Sequence, residues 1–245
     1  MIAFASAKGS PGATTAALLC AAAWPDDRVL VEADDSGGVL AARLGLAESP
    51  SALTLAGAAR LDLEAAAVGE HCQQAADGVP VLVAPPEPAQ VVATYRELAP
   101  RLRDLVLDHQ LRLIVDAGRL TSASSSFPLV RHGVVVLVAR NRLDEFAALA
   151  AAARDLRGAG TSVAALIVDQ GPYPPSEFAH TADVELIGVL PDDPGAAAAL
   201  RGEAPARQLR RSAMWTAIAT VAARLANMTP KPPTSANHPT LEQIS

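Results

Sequence analysis

The sequence predicts a three-layer α/β fold, a mostly parallel, doubly wound sheet of about seven strands with helices on both faces. Short apolar runs alternate along the chain with longer stretches of helical periodicity. Most of the short runs are apolar at consecutive positions, as strands covered on both faces must be. A glycine-bearing turn between the first strand and the first helix then places a loop at the sheet's carboxyl edge, where open α/β sheets take their ligands.

In chain order, Ile2–Ser6 reads as a buried strand, and Thr14–Ala23 as an Ala/Leu-rich helix stopped by Pro25. The strand Val29–Ala33 is followed by a helical pattern over Ala52–Gln74. The strand Val79–Ala84 leads into a helix over Pro88–Leu107, opened by its proline. Leu111–Asp116 and Val134–Ala139 are strands, and Leu143–Arg157 is a packing helix. Val163–Val168 and Leu186–Leu190 complete the strand set, with helices over Gly195–Arg201 and from about Ala206 to Asn227. Residues 1–228 are expected to form one domain. Residues 229–245, rich in proline and polar side chains, read as a flexible tail.

Composition narrows the function classes. The chain has 245 residues and a net charge of −6, which argues against a uniformly basic nucleic-acid binder. Only 3% of residues are aromatic, so Ala, Val and Leu must build the core. The longest apolar runs, Gly133–Ala139 and Ala147–Ala153, are too short to span a bilayer, and no signal-peptide pattern opens the chain. A cytoplasmic protein is expected. Cys20 and Cys72 have no ligand or redox spacing and read as small buried hydrophobes. The five histidines show no paired spacing. Lys8 and Lys231 are the only lysines in an arginine-using chain, so a lysine inside a glycine-bearing loop stands out.

Three segments are expected to converge on a phosphate-bearing ligand. The first is the loop Lys8-Gly9-Ser10-Pro11-Gly12-Ala13-Thr14-Thr15, whose amides and following helix N-terminus suit a di- or triphosphate. The Thr14 hydroxyl would ligate Mg²⁺, and Thr15 would lie near the α-phosphate. The usual pattern, G-x-x-x-x-G-K-[ST], places a lysine where this chain has Ala13. The second is Glu32-Ala33-Asp34, two acids at i and i+2 on one side of a strand end, one for the metal's surroundings and one to orient an attacking water. The third is Asp116 in Leu113-Ile114-Val115-Asp116-Ala117-Gly118, a strand-end aspartate of the kind that meets Mg²⁺.

This ordered set resembles the MinD/ParA family of P-loop ATPases over roughly residues 1–226. Lys8 matches that family's signature lysine, Thr14 and Thr15 its hydroxyls, and Asp116 its Walker B aspartate. Glu32-Ala33-Asp34-Asp35-Ser36-Gly37-Gly38 resembles the D-x-D-P-Q-G-N segment with Glu for the first Asp. Ile187-Gly188-Val189-Leu190-Pro191-Asp192-Asp193 resembles I-G-V-I-P-x-D, whose following loop lies by the adenine, and Ala198–Pro205 resembles its A-x-x-x-G-x-P continuation. Ala13 and the stretch Pro80–Pro86 are similar to the CpaE/TadZ pilus-assembly branch. This chain has Ser10-Pro11 inside the loop and no Asn for adenine after Val163–Val168.

The resemblance implies ATP and Mg²⁺ as cofactors. Lys8, Gly9, Ser10, Gly12, Ala13, Thr14, Thr15, Pro191 and Asp192 would hold the nucleotide, with Thr14, Glu32 and Asp116 about the metal and Lys8 and Asp34 as catalytic residues. It implies a face-to-face homodimer in which Lys8 reaches the partner's phosphates. ATP would then act as a dimerisation signal for positioning or scaffolding a pilus or secretion apparatus with a protein partner. Without a lysine at position 13, hydrolysis to ADP and phosphate is expected to be slow or absent. Two other roles stay open: a ParA-type partition ATPase binding DNA through Arg207, Arg210 and Arg211, and an interaction module whose pocket no longer takes nucleotide. The negative charge and the polar tail favour a solvated basic edge on the last helix over a DNA or membrane surface.

Overall fold

The computed structural model describes residues 1–8, 11–59, 63–75, 78–169, 171–200 and 206–228. Eight strands form one sheet: β1 (Ile2–Ser6), β2 (Val29–Glu32), β3 (Gln73–Gln74), β4 (Pro80–Leu82), β5 (Leu113–Arg119), β6 (Val134–Arg140), β7 (Ser162–Val168) and β8 (Glu185–Leu190). Their order is β3-β4-β2-β5-β1-β6-β7-β8. Every pairing is parallel except β3 with β4. The predicted α/β class is therefore met. The strand the sequence did not announce is β3, a two-residue edge segment too short to carry a period.

Alternation along each strand divides the core into two layers. Ala3, Ala5, Val31, Val115 and Leu137 face one layer, with Leu55, Tyr95 and Leu149 from the helices on that side. Ile2, Phe4, Leu30, Ile114 and Val136 face the other. That second layer is covered by α1 (Ala13–Ala23), α2 (Leu40–Leu44), α9 (Pro194–Leu200), α10 (Ala206–Arg210) and α11 (Ala213–Met228). Ala16, Ala17, Leu19, Cys20 and Ala21 of α1 are fully enclosed. Small side chains let α1 lie close against the central strands.

The expected helix over Ala52–Gln74 is two helices, α3 (Ala52–Ala58) and α4 (Ala65–Glu70), with β3 beyond them. Glu64 before α4 is extended, which ends any continuous helix. Leu55 and Val68 nevertheless enter the same core layer, so the apolar period runs across the break. The last helix also divides. Ser212 accepts the Trp215 amide at 3.0 Å, an N-cap that starts α11 afresh after α10. α5 (Pro88–Leu107) and α7 (Leu143–Gly158) lie where the pattern put them, whereas α2, α6 (Phe127–Val130) and α8 (Pro175–Ala182) are short helices it did not show. Cys20 is buried and Cys72 partly so, both as free thiols. The anticipated tail, 229–245, lies outside the described residues.

Candidate nucleotide site

The carboxyl ends of β2, β5 and β1 are neighbours, and Glu32 stands in register with Asp116. Both acids share the parity of Leu30 and Ile114, so alternation turns them to the α1 side. Asp116 is 1% exposed. Its Oδ1 accepts the Gly118 amide at 3.2 Å. Its Oδ2 is buried and has no hydrogen-bond partner among the described residues. Burial pushes this carboxyl from 3.8 up to about 7, and the Glu32 and Asp34 charges push the same way. The Thr14 hydroxyl and the Gly118 amide act in the opposite direction. A buried carboxyl with an open oxygen beside a hydroxyl is a donor set suited to a divalent cation.

α1 begins at Ala13, and its cap Gly12 has φ +103°, a left-handed conformation that favours glycine; a Cβ there would meet nothing within 4 Å. Backbone conformation, rather than crowding, calls for the glycine. No side chain caps the first turn and no acid lies in it, so its leading amides are left for an outside acceptor. Ala13 is packed into the core layer beneath α1, and Thr14 and Thr15 are half-buried. Gly9 and Ser10, expected to hold phosphate, lie outside the described residues. Among those described, no group of three His, Cys, Asp or Glu forms a metal cage.

Lys8 leaves β1 and donates to Asp144 Oδ2 at 3.3 Å, with the two side chains 57% and 48% exposed. Asp144 lies in the first turn of α7, and its carboxyl is held below the usual range, chiefly by the Lys8 hydrogen bond. Arg142 joins it at 3.4 Å. So the helix read from sequence as packing alone also supplies the counter-charge of the loop lysine. Solvent screens an exposed pair of this kind and leaves it weak, so Lys8 is readily transferable.

Glu32 has a different position from the one expected of a metal ligand. It is fully buried, with Oε1 accepting the Val39 and Leu40 amides at 2.6 and 2.8 Å and Oε2 accepting the Ala84 amide at 2.9 Å. Backbone amides occupy both oxygens, so Glu32 ties α2 and the end of β4 to β2. Burial raises its pKa, against the pull of those three amides. Asp34, two residues on, is only partly buried and accepts the Ser36 amide at 2.9 Å. Its carboxyl lies against Gly118, where a Cβ would fall 1.9 Å from Asp34 Cγ, and Gly118 has φ +52°. The glycine of the D-x-G pattern is thus what lets Asp34 approach Asp116.

Two positioning residues went unread in the sequence. Asp35 accepts the Ser125 amide at 3.0 Å and also its hydroxyl, joining the loops after β2 and β5. Asn141 is 3% exposed and exchanges hydrogen bonds with the Tyr173 backbone, donating at 2.6 Å and accepting at 3.2 Å, which fastens the loop after β7 to that after β6. Their signal is an amide or acid one to three residues past a strand end. Pro191 and Asp192 follow β8 on the same carboxyl edge, with β6 and β7 between them and β1. Asp193 accepts the Ala196 amide at 2.9 Å as α9 begins.

No family model matches the chain, and no curated protein does. Solved structures do. The cell division ATPase MinD of Pyrococcus furiosus matches with a TM-score of 0.75 at 21% identity, covering 93% of this chain and 98% of that one. The septum site-determining protein MinD of Pyrococcus horikoshii, complexed with Mg-ADP, gives 0.74 at 19% identity over 93% and 96%. A ParA family ATPase from Chlorobium tepidum gives 0.74 at 16% identity over 91% and 96%. The likeness is one of fold: the chain is built as the MinD/ParA P-loop ATPases are.

Proposed function

We propose that this chain binds Mg²⁺·ATP at the carboxyl edge of β1, β2 and β5 and uses it to close a homodimer. The observation that carries the reading is Asp116, whose buried Oδ2, unpartnered among the described residues, lies beside the Thr14 hydroxyl at an uncapped helix N-terminus. Thr14 and Asp116 would hold the metal, and the first-turn amides of α1 the phosphates. Bound Mg²⁺ would neutralise phosphate charge and order the polyphosphate. Asp34 stands beside Asp116 as the group to orient a water, and Lys8 exchanges Asp144 for a phosphate of the partner's nucleotide. With Ala13 in place of a lysine, two charge-assisted contacts are missing, which weakens monomer binding by roughly 100-fold or more. Binding energy gained only in the dimer makes ATP a dimerisation signal, and hydrolysis is slow or absent.

The role that fits such a switch is positioning or scaffolding, with a pilus or secretion apparatus as the candidate system and a protein of that system as partner. DNA partition is less favoured. Arg210 stacks on Trp215 at 5.2 Å, and Arg207 and Arg211 share a cleft with the Asp193 carboxylate, so the basic edge is partly engaged within the fold. Calorimetry with ATP and ADP in Mg²⁺, with sedimentation on the same samples, tests the proposal. ATP binding coupled to dimerisation is expected, with dimerisation lost in Lys8→Ala. No binding at millimolar ATP would leave a pseudo-ATPase interaction module, and ATP-dependent, salt-sensitive DNA binding would favour partition.

A further inference from the structure

We infer that Arg43 supplies, from α2, the phosphate-binding cation that position 13 lacks; the inference rests on the nucleotide-binding reading and names a residue for it. A cavity of about 210 Å³ lies against the first turn of α1. Thr14 and Thr15 form one wall, Leu18, Leu40 and Leu44 the apolar floor, and Arg43 is its one charged lining group among the described residues. The two threonines are those at the start of α1 that would meet metal and phosphate. Arg43 therefore opens onto the space beside the nucleotide's phosphates from the flank opposite Lys8 and Asp144.

Several features hold in place the short helix that carries Arg43. Leu40 is 1% exposed and anchored in the core layer beneath α1. The buried Glu32 carboxylate fixes the Val39 and Leu40 amides that open α2. Gly45 ends the helix in a left-handed turn, donating to the Ala41 carbonyl. A five-residue helix pinned at both ends presents Arg43 in one direction. No acid among the described residues forms an ion pair with Arg43. A guanidinium left in this way beside two hydroxyls suits a planar, multidentate phosphate contact. It also gives the buried Glu32 a purpose, since that carboxylate sets where α2 stands.

The test is calorimetric titration of ATP and ADP with Mg²⁺ into the full chain, Arg43→Ala, Arg43→Lys and the double variant Arg43→Ala with Ala13→Lys. Arg43 is exposed, so Arg43→Ala should keep the wild-type thermal transition. Its affinity for both nucleotides should fall roughly 10- to 100-fold, with partial retention in Arg43→Lys. The double variant should recover affinity, because a lysine at position 13 restores the cation from the other side. Wild-type binding with an unchanged Arg43→Ala affinity overturns this inference and leaves the nucleotide reading intact. Absence of binding in the wild-type chain overturns both.

Discussion

Gly118 shows how closely single residues are constrained at this site. It has φ +52° and occupies the space against which the Asp34 carboxyl rests. Gly118→Ala would add a Cβ about where Asp34 Cγ now sits and strain the backbone by about 1–3 kcal/mol. We expect a lower Tm and a displaced Asp34, measured by thermal unfolding and by loss of any Mg²⁺-ATP turnover. An unchanged Tm would show that Asp34 is free to move aside. At this scale the sequence was legible where chemistry fixes residue type. Lys8, Thr14 and Asp116 could be picked out as candidates because their types and spacing are those a phosphate loop and a strand-end acid would need. Asp144 and Arg43 could not, since one lies 136 residues from Lys8 and the other on a helix too short to have a period.

At the scale of elements, Glu32 is the instructive case. An acid at a strand end looks the same in sequence whether it faces a cation or three amides, and here it faces amides from α2 and the end of β4. Glu32→Gln replaces one acceptor oxygen by an NH₂ group, which must confront a backbone N–H. We expect a loss of about 1–3 kcal/mol, seen as a lower denaturation midpoint, together with weaker protection of the Val39 and Leu40 amides in hydrogen exchange. Full protection in the variant would mean that α2 is held by Leu40 packing alone. Long helices and buried strands were readable because their apolar period is sustained, as over Pro88–Leu107. The breaks were not, because Leu55 and Val68, on either side of the α3–α4 interruption, serve one core layer.

Over the whole molecule, the sheet order is what sequence does not contain: nothing local says that β5 inserts between β2 and β1. That insertion brings Glu32 and Asp116 into register and buries both acids, and it therefore sets how the fold responds to pH. Asp116 is raised from 3.8 to about 7. Between those values the folded chain retains a proton that the unfolded chain has released, so its contribution to stability, complete at acid pH, is lost as pH rises and stays lost above about 7. At 1.36 kcal/mol per unit the loss amounts to about 4 kcal/mol at most. Glu32 is shifted in the same direction. Asp116→Asn removes the Asp116 part, so its Tm should match wild type below about pH 3.8, exceed it by a margin that grows up to about pH 7, and keep that margin above. The same variant should lose Mg²⁺-dependent nucleotide binding, because a cation stabilises the ionised carboxylate that the empty fold disfavours. Scanning calorimetry of both chains across that range, with and without Mg²⁺-ATP, checks both halves. Parallel Tm curves would locate the pH response elsewhere, and nucleotide binding retained by Asp116→Asn would remove Asp116 from the metal site.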